Sequence, residues 1–176
     1  LKTFAAHGVH GTSAITAVTA QNSVAVTDWV ALEPRMVVAK IEAVASDMAV
    51  AAVKTGMLAT AAIVKAVAEA VKRLALPNLV VDPVMVAKSG DRLLDPAAES
   101  AYLQYLFPLA TLVTPNLEEA EVLLGRPVRD LAAMREAARA LLDLGPRAVV
   151  VKGGHLAGDA VDVFFDGQVL EELPGD

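Results

Sequence analysis

The 176 residues carry 15 Lys and Arg against 21 Asp and Glu, a formal charge of −6 with an isoelectric point near 5.0. That balance argues against a nucleic-acid-binding surface, which needs clustered Lys and Arg. Hydrophobic residues make up 55% and mean hydropathy is +0.50. Even so, Lys, Asp, Glu, Pro or Gly interrupts each apolar run before the ~18 residues that a bilayer span requires. The apolar excess therefore points to a sheet buried on both faces.

In chain order, Leu1–His7 reads as the tail of a helix stopped by Gly8, and Ser13–Thr19 as a strand. Pro34–Ser46 is a helix with Pro34 in its first turn, where a missing N–H costs little. Val50–Lys54 is a strand, and Thr60–Leu74 an amphipathic helix with Ile63, Val67, Ala70, Val71 and Leu74 on one stripe. Leu79–Val81 is a strand leading into a loop through Asp91; Asp95 caps a helix from Pro96 to about Phe107. Thr111–Thr114 is a strand feeding the helix Leu117–Leu124, which Gly125 ends, and Asp130 caps another helix that Gly145-Pro146 stops. Ala148–Lys152 is a buried strand, and Asp166-Gly167 joins Val161–Phe165 to Gln168–Leu173 as a hairpin.

This alternation predicts one domain over residues 1–176. Its architecture is an α/β doubly wound, mostly parallel sheet with helices on both faces, incomplete at both ends. Ligands of such folds sit beyond the carboxyl ends of the strands, which draws attention to Gln21-Asn22, Lys54–Met57, Asp82–Met85, Pro115-Asn116 and Lys152–His155.

Each of these segments has a plain reading beside a functional one. Gln21 offers a donor and an acceptor that suit a heterocycle, or it bonds backbone in a loop. Lys54-Thr55-Gly56-Met57 pairs a glycine permitting close approach with a possible apolar wall. Asp82 closes an apolar strand, either as a carboxylate for hydrated Mg²⁺ or as a turn former. Lys88-Ser89-Gly90-Asp91 is a lid over phosphates or a solvated loop. Asn116 and Glu119, three apart, form a capping box or aim an amide and a carboxylate at metal-bound phosphate. Lys152-Gly153-Gly154 presents a cation followed by N–H groups fit for an anion nest. His7 and His10 are three residues apart, but a metal site needs further ligands and none is suggested nearby. The absence of G-x-G-x-x-G and G-x-x-x-x-G-K-[ST] counts against dinucleotide oxidoreductases and P-loop kinases.

Taken in order, LKTF, GTSAITAVTAQN, KTGML, VVDPVMVAKSGDRLL, LVTPNLEEAEVLLG and VVVKGGHL resemble the hydroxymethylpyrimidine/phosphomethylpyrimidine kinases of the ribokinase-like superfamily. The resemblance implies that Gln21 pairs with the aminopyrimidine, in a pocket shared with Thr19, Met57 and Val84. It implies that Asp82 and Glu119 organise Mg²⁺, and that Asn116, Glu119, Lys152 and Lys88 serve the phosphates of ATP. The implied reaction is phosphorylation of 4-amino-5-hydroxymethyl-2-methylpyrimidine and then of its monophosphate, in a cytoplasmic homodimer of the thiamine pathway.

Two features of the family pattern are missing from these residues: the glycine-rich strand ahead of LKTF, and the later anion-hole segment with its Cys or Asp. No catalytic base is therefore named, and the chain is expected to be partial. The alternatives are a pyridoxal kinase of the same superfamily and a catalytically inactive pyrimidine-binding fragment.

Overall fold

A computed structural model describes residues 1–85, 96–154, 156 and 160–175. The chain opens with the short helix α1 (Lys2–Ala6), followed by β1 (Ala17–Gln21), β2 (Val26–Ala31) and α2 (Pro34–Ala45). Next come β3 (Val53–Thr55), α3 (Ala61–Arg73), β4 (Leu79–Val81) and α4 (Pro96–Ala101), which continues through a π-helical turn (Tyr102–Leu106) and a 3₁₀ turn (Phe107–Leu109). The remainder is β5 (Leu112–Val113), α5 (Leu117–Leu124), α6 (Leu131–Leu142), β6 (Val149–Val151), β7 (Val161–Phe165) and β8 (Leu170–Pro174).

Six strands form one sheet in the order β3-β4-β5-β6-β7-β8. The first four are parallel and the last two antiparallel. The β7–β8 hairpin forms where Asp166-Gly167 implies it: Asp166 Oδ1 accepts the N–H groups of Gln168 and Val169 at 2.9 and 2.7 Å, and Gly167 adopts φ +94°. Two helix signals also act as read: Asp130 caps α6 by accepting from the Ala133 N–H, and Gly125 ends α5 at φ +64°. Thr60 is the N-cap of α3 and accepts from the Ile63 N–H.

Parallel crossovers from β3 to β6 all step the same way across the sheet, and burial alternates along its strands. Leu79, Val81, Val113, Val149, Val151 and Val163 are buried with α3's Ile63 and Val67 and α6's Met134 and Leu141 in a single core. Residues of the opposite parity, Lys54, Val80, Leu112 and Val150, are exposed or half-buried.

The N-terminal region departs from expectation. The strand begins at Ala17 and not at Ser13, and β1 does not join the main sheet. It pairs antiparallel with β2, a strand the sequence reading lacks, in a separate two-stranded hairpin. Asn22 makes that turn: its Oδ1 accepts from the N–H groups of Val24 and Ala25 at 2.8 and 2.9 Å. Gln21 consequently ends a strand of the hairpin, exposed, rather than following a strand of the main sheet.

Candidate active site

Parity along the strands gathers the polar cluster. Lys54 lies on the half-exposed face of the sheet, paired in register with Val80. Asp82, two residues after Val80, and Lys152, two after Val150, carry the same face past the strand ends. Lys54 Nζ lies 2.8 Å from Asp82 Oδ2 and Lys152 Nζ lies 3.0 Å from Asp82 Oδ1. One carboxylate just past β4 thus holds two ammonium groups, one from β3 and one from the residue that follows β6. Lys152 also bridges to Asn116, with its N–H donating to the Pro115 carbonyl at 2.8 Å.

At the adjoining strand end, Asn116 and Glu119 form the complete capping box. Asn116 Oδ1 accepts from the Glu119 N–H at 2.8 Å, and Glu119 Oε2 accepts from the Asn116 N–H at 2.7 Å. Glu119 is only 5% exposed. Burial pushes its carboxyl above the ordinary glutamate range, while the Asn116 N–H, Lys152 and the Met85 N–H pull the other way and Asp82 adds to the rise. Its electrostatic coupling to both Lys152 and Asp82 joins α5 to the cluster.

The four residues assigned to the acceptor, Thr19, Gln21, Met57 and Val84, line one cavity of about 1250 Å³. The hairpin supplies one wall, and α2 and the edge strand β3 supply the others. Lys54 lines the same cavity and so connects it to Asp82. The turn after β3 is braced twice. The Thr16 hydroxyl donates to the Met57 carbonyl at 2.6 Å, and the Tyr102 hydroxyl donates to the Gly56 carbonyl at 3.1 Å.

Tyr102 is a residue the sequence reading missed. It is fully buried at the start of the π-helical turn, and burial drives its hydroxyl well above the usual tyrosine range, keeping it a donor. A tyrosine within a helical run gives no sign of a partner 46 residues away, although π-turns recur at functional sites.

One expectation is corrected. The Gly153 N–H is not free for an anion, because it donates to Asp162 Oδ1 at 2.8 Å. The glycine is there for space: a Cβ would stand 1.9 Å from the Val161 carbonyl oxygen. Lys88, with its loop, and His155 lie outside the described residues.

Comparison with known proteins shows the family and the fold. The family model described as phosphomethylpyrimidine kinase matches residues 1–176. A hydroxymethylpyrimidine/phosphomethylpyrimidine kinase of Synechococcus elongatus is 48% identical over 170 residues, covering 96% of this chain and 64% of its own length. The crystal structure of phosphomethylpyrimidine kinase from Clostridium difficile superposes with a TM-score of 0.90 at 40% identity, covering 99% of this chain and 76% of that one. An ADP complex of Bacillus subtilis pyridoxal kinase gives a TM-score of 0.87 at 34% identity, covering 99% and 66%. The chain belongs to the phosphomethylpyrimidine kinase family, and its fold is that of ribokinase-like vitamin kinases. It spans just under two thirds of the cyanobacterial relative's length.

Proposed function

We propose that the protein transfers the γ-phosphoryl group of ATP to the hydroxymethyl oxygen of 4-amino-5-hydroxymethyl-2-methylpyrimidine, and then phosphorylates the resulting monophosphate. The observation that carries this reading is the junction at Lys54, where a cavity lined by Gln21, Thr19, Met57 and Val84 meets a carboxylate held between two ammonium groups.

Phosphoryl transfer asks a protein chiefly for alignment and charge neutralisation. In the cavity, the Gln21 amide pairs with the ring nitrogen and exocyclic amine of the pyrimidine, while Met57 and Val84 give it apolar walls. At the strand ends, Lys152 neutralises nucleotide phosphate and Asn116 holds the first turn of α5 against it. Lys88 remains part of the proposal as a second phosphate contact.

Mg²⁺ fits Asp82 and Glu119 through its water shell. Among the described residues no group of three His, Cys, Asp or Glu converges to hold a metal with protein ligands alone, but Mg²⁺ commonly binds through one or two carboxylates plus substrate phosphates. The oxygens of Asp82 already accept from Lys54 and Lys152, and Glu119 accepts from backbone N–H groups, so their remaining lone pairs suit metal-bound water. When bound, the ion would screen the charge between the transferring phosphates.

Among the described residues no helix is long and apolar enough to cross a membrane. The reading extends to residues 1–176 acting as one kinase domain in a cytoplasmic homodimer, as its absence of cysteine and its apolar surplus favour.

Calorimetric titration with the aminopyrimidine alcohol and, separately, with pyridoxal tests the acceptor assignment. Saturable binding of the pyrimidine at least ten-fold tighter than pyridoxal is expected. The reverse preference would move the protein to the pyridoxal kinases.

A further inference from the structure

Phosphorylating a monophosphate raises a difficulty that phosphorylating an alcohol does not. The acceptor arrives with about −1.5 to −2 charges at pH 7, and it must approach both the polyphosphate of ATP and the carboxylate of Asp82. Like charges this close require a cation between them.

Lys54 stands at that place. It lines the acceptor cavity and also lies 2.8 Å from Asp82 Oδ2. Lys152, 3.0 Å from the other oxygen, is not among the residues lining the cavity. The Lys54 side chain is 46% exposed whereas Asp82 is 16% exposed, so the ammonium is the accessible member of the pair. Its other contact, the Thr55 carbonyl, is long at 3.4 Å, which leaves donor capacity for another oxygen. The bracing of the following turn by Tyr102 and Thr16 fixes where the lysine stem starts. Lys40, the cavity's other lysine, comes from α2; Lys54 is the one tied to Asp82.

We infer that Lys54 determines specificity for the monophosphate acceptor. Its ammonium is shared between Asp82 and the acceptor's phosphate, so the second phosphoryl transfer depends on it more than the first. The inference rests on the kinase reading proposed above. In the second transfer a deprotonated oxygen of the acceptor phosphate attacks the γ-phosphorus of ATP. A P–O bond forms there, the bond from the γ-phosphorus to the bridging oxygen breaks, and ADP leaves with the electron pair. Lys54 takes no part in the bond changes and supplies charge and position.

The test compares kcat/KM for the alcohol and for its monophosphate at saturating MgATP, in the protein and in Lys54→Met and Lys54→Arg. Lys54→Met is expected to lower kcat/KM for the monophosphate at least ten-fold more than for the alcohol, mainly through KM, and Lys54→Arg to recover most of that ratio. Equal losses with the two acceptors would make Lys54 merely the counter-ion of Asp82 and overturn the inference. Should Lys54→Met fail to fold, salt dependence of the unsubstituted protein decides: KM for the monophosphate should climb with ionic strength more steeply than KM for the alcohol, and parallel slopes would sink the idea. No turnover of either acceptor by the unsubstituted protein would instead overthrow the kinase reading, and the inference with it.

Discussion

Lys152 and Asp82 are 70 residues apart in the chain, yet the ammonium of one sits 3.0 Å from the carboxylate of the other. The contact exists because β4 and β6 flank β5 in one parallel sheet, with Val81 and Val149 both in register with Val113. Asp82→Asn removes the charge that holds both lysines while keeping the volume. Because the lysines are substantially exposed, the stability cost should stay within about 1 kcal/mol. Phosphoryl transfer should fall by about 10²-fold or more. Steady-state kinetics beside a thermal melt would separate the two effects, and a large loss of stability with little loss of rate would contradict the assignment.

Glu119 supplies a pH signature. Its folded-state pKa is raised by burial, so the folded protein binds a proton more readily than the unfolded chain there. The associated stability is present below the ordinary glutamate pKa of about 4.3 and is lost as pH rises through the folded-state value. Glu119→Gln should flatten that part of the stability–pH curve. Lys152→Met, which removes a cation that lowers the Glu119 pKa, should move the transition to higher pH. Urea melts from pH 4 to 8 would show both.

Gly153 has no room for a side chain, since its added Cβ would meet the Val161 carbonyl oxygen at 1.9 Å. Gly153→Ala therefore must shift either β7 or the turn after β6, at a cost of about 1–3 kcal/mol. Chemical denaturation would measure it. A fully stable alanine variant would mean that the turn adapts more readily than its packing implies.

At the acceptor end, Gln21→Leu keeps the volume and removes both hydrogen-bonding groups. Affinity for the pyrimidine should fall by about 1–3 kcal/mol while ATP affinity holds, as read by calorimetry with each ligand. Unchanged pyrimidine affinity would remove Gln21 from the site.

The parallel strands and caps were legible because they rest on local rules. LVV and AVVVK are short apolar runs closed by polar residues, and Asp130 and Gly125 are cap residues in cap positions. The capping box of Asn116 and Glu119 could be read from spacing alone, and both residues now sit beside the Asp82 cluster. The missed β2 has a physical reason. VTDWVA lacks clean alternation against a core because all but its end residues are exposed, and the turn before it depends on an Asn22 side-chain bond instead of an Asn-Gly pair. Tyr102 and the role of Gly153 escaped because each is set by a neighbour distant in sequence or on an adjoining strand. The Lys54–Asp82 pair is of the same kind: each residue was suspected at its own strand end, but only the sheet register brings them together.

The most direct measurement is ADP release from MgATP by the purified protein, with the aminopyrimidine alcohol as acceptor. The account predicts acceptor-dependent ADP formation that Asp82→Asn abolishes or reduces by about two orders of magnitude. Folded protein that binds the pyrimidine yet forms no ADP would contradict it, and would mark these residues as a binding module without phosphoryl transfer.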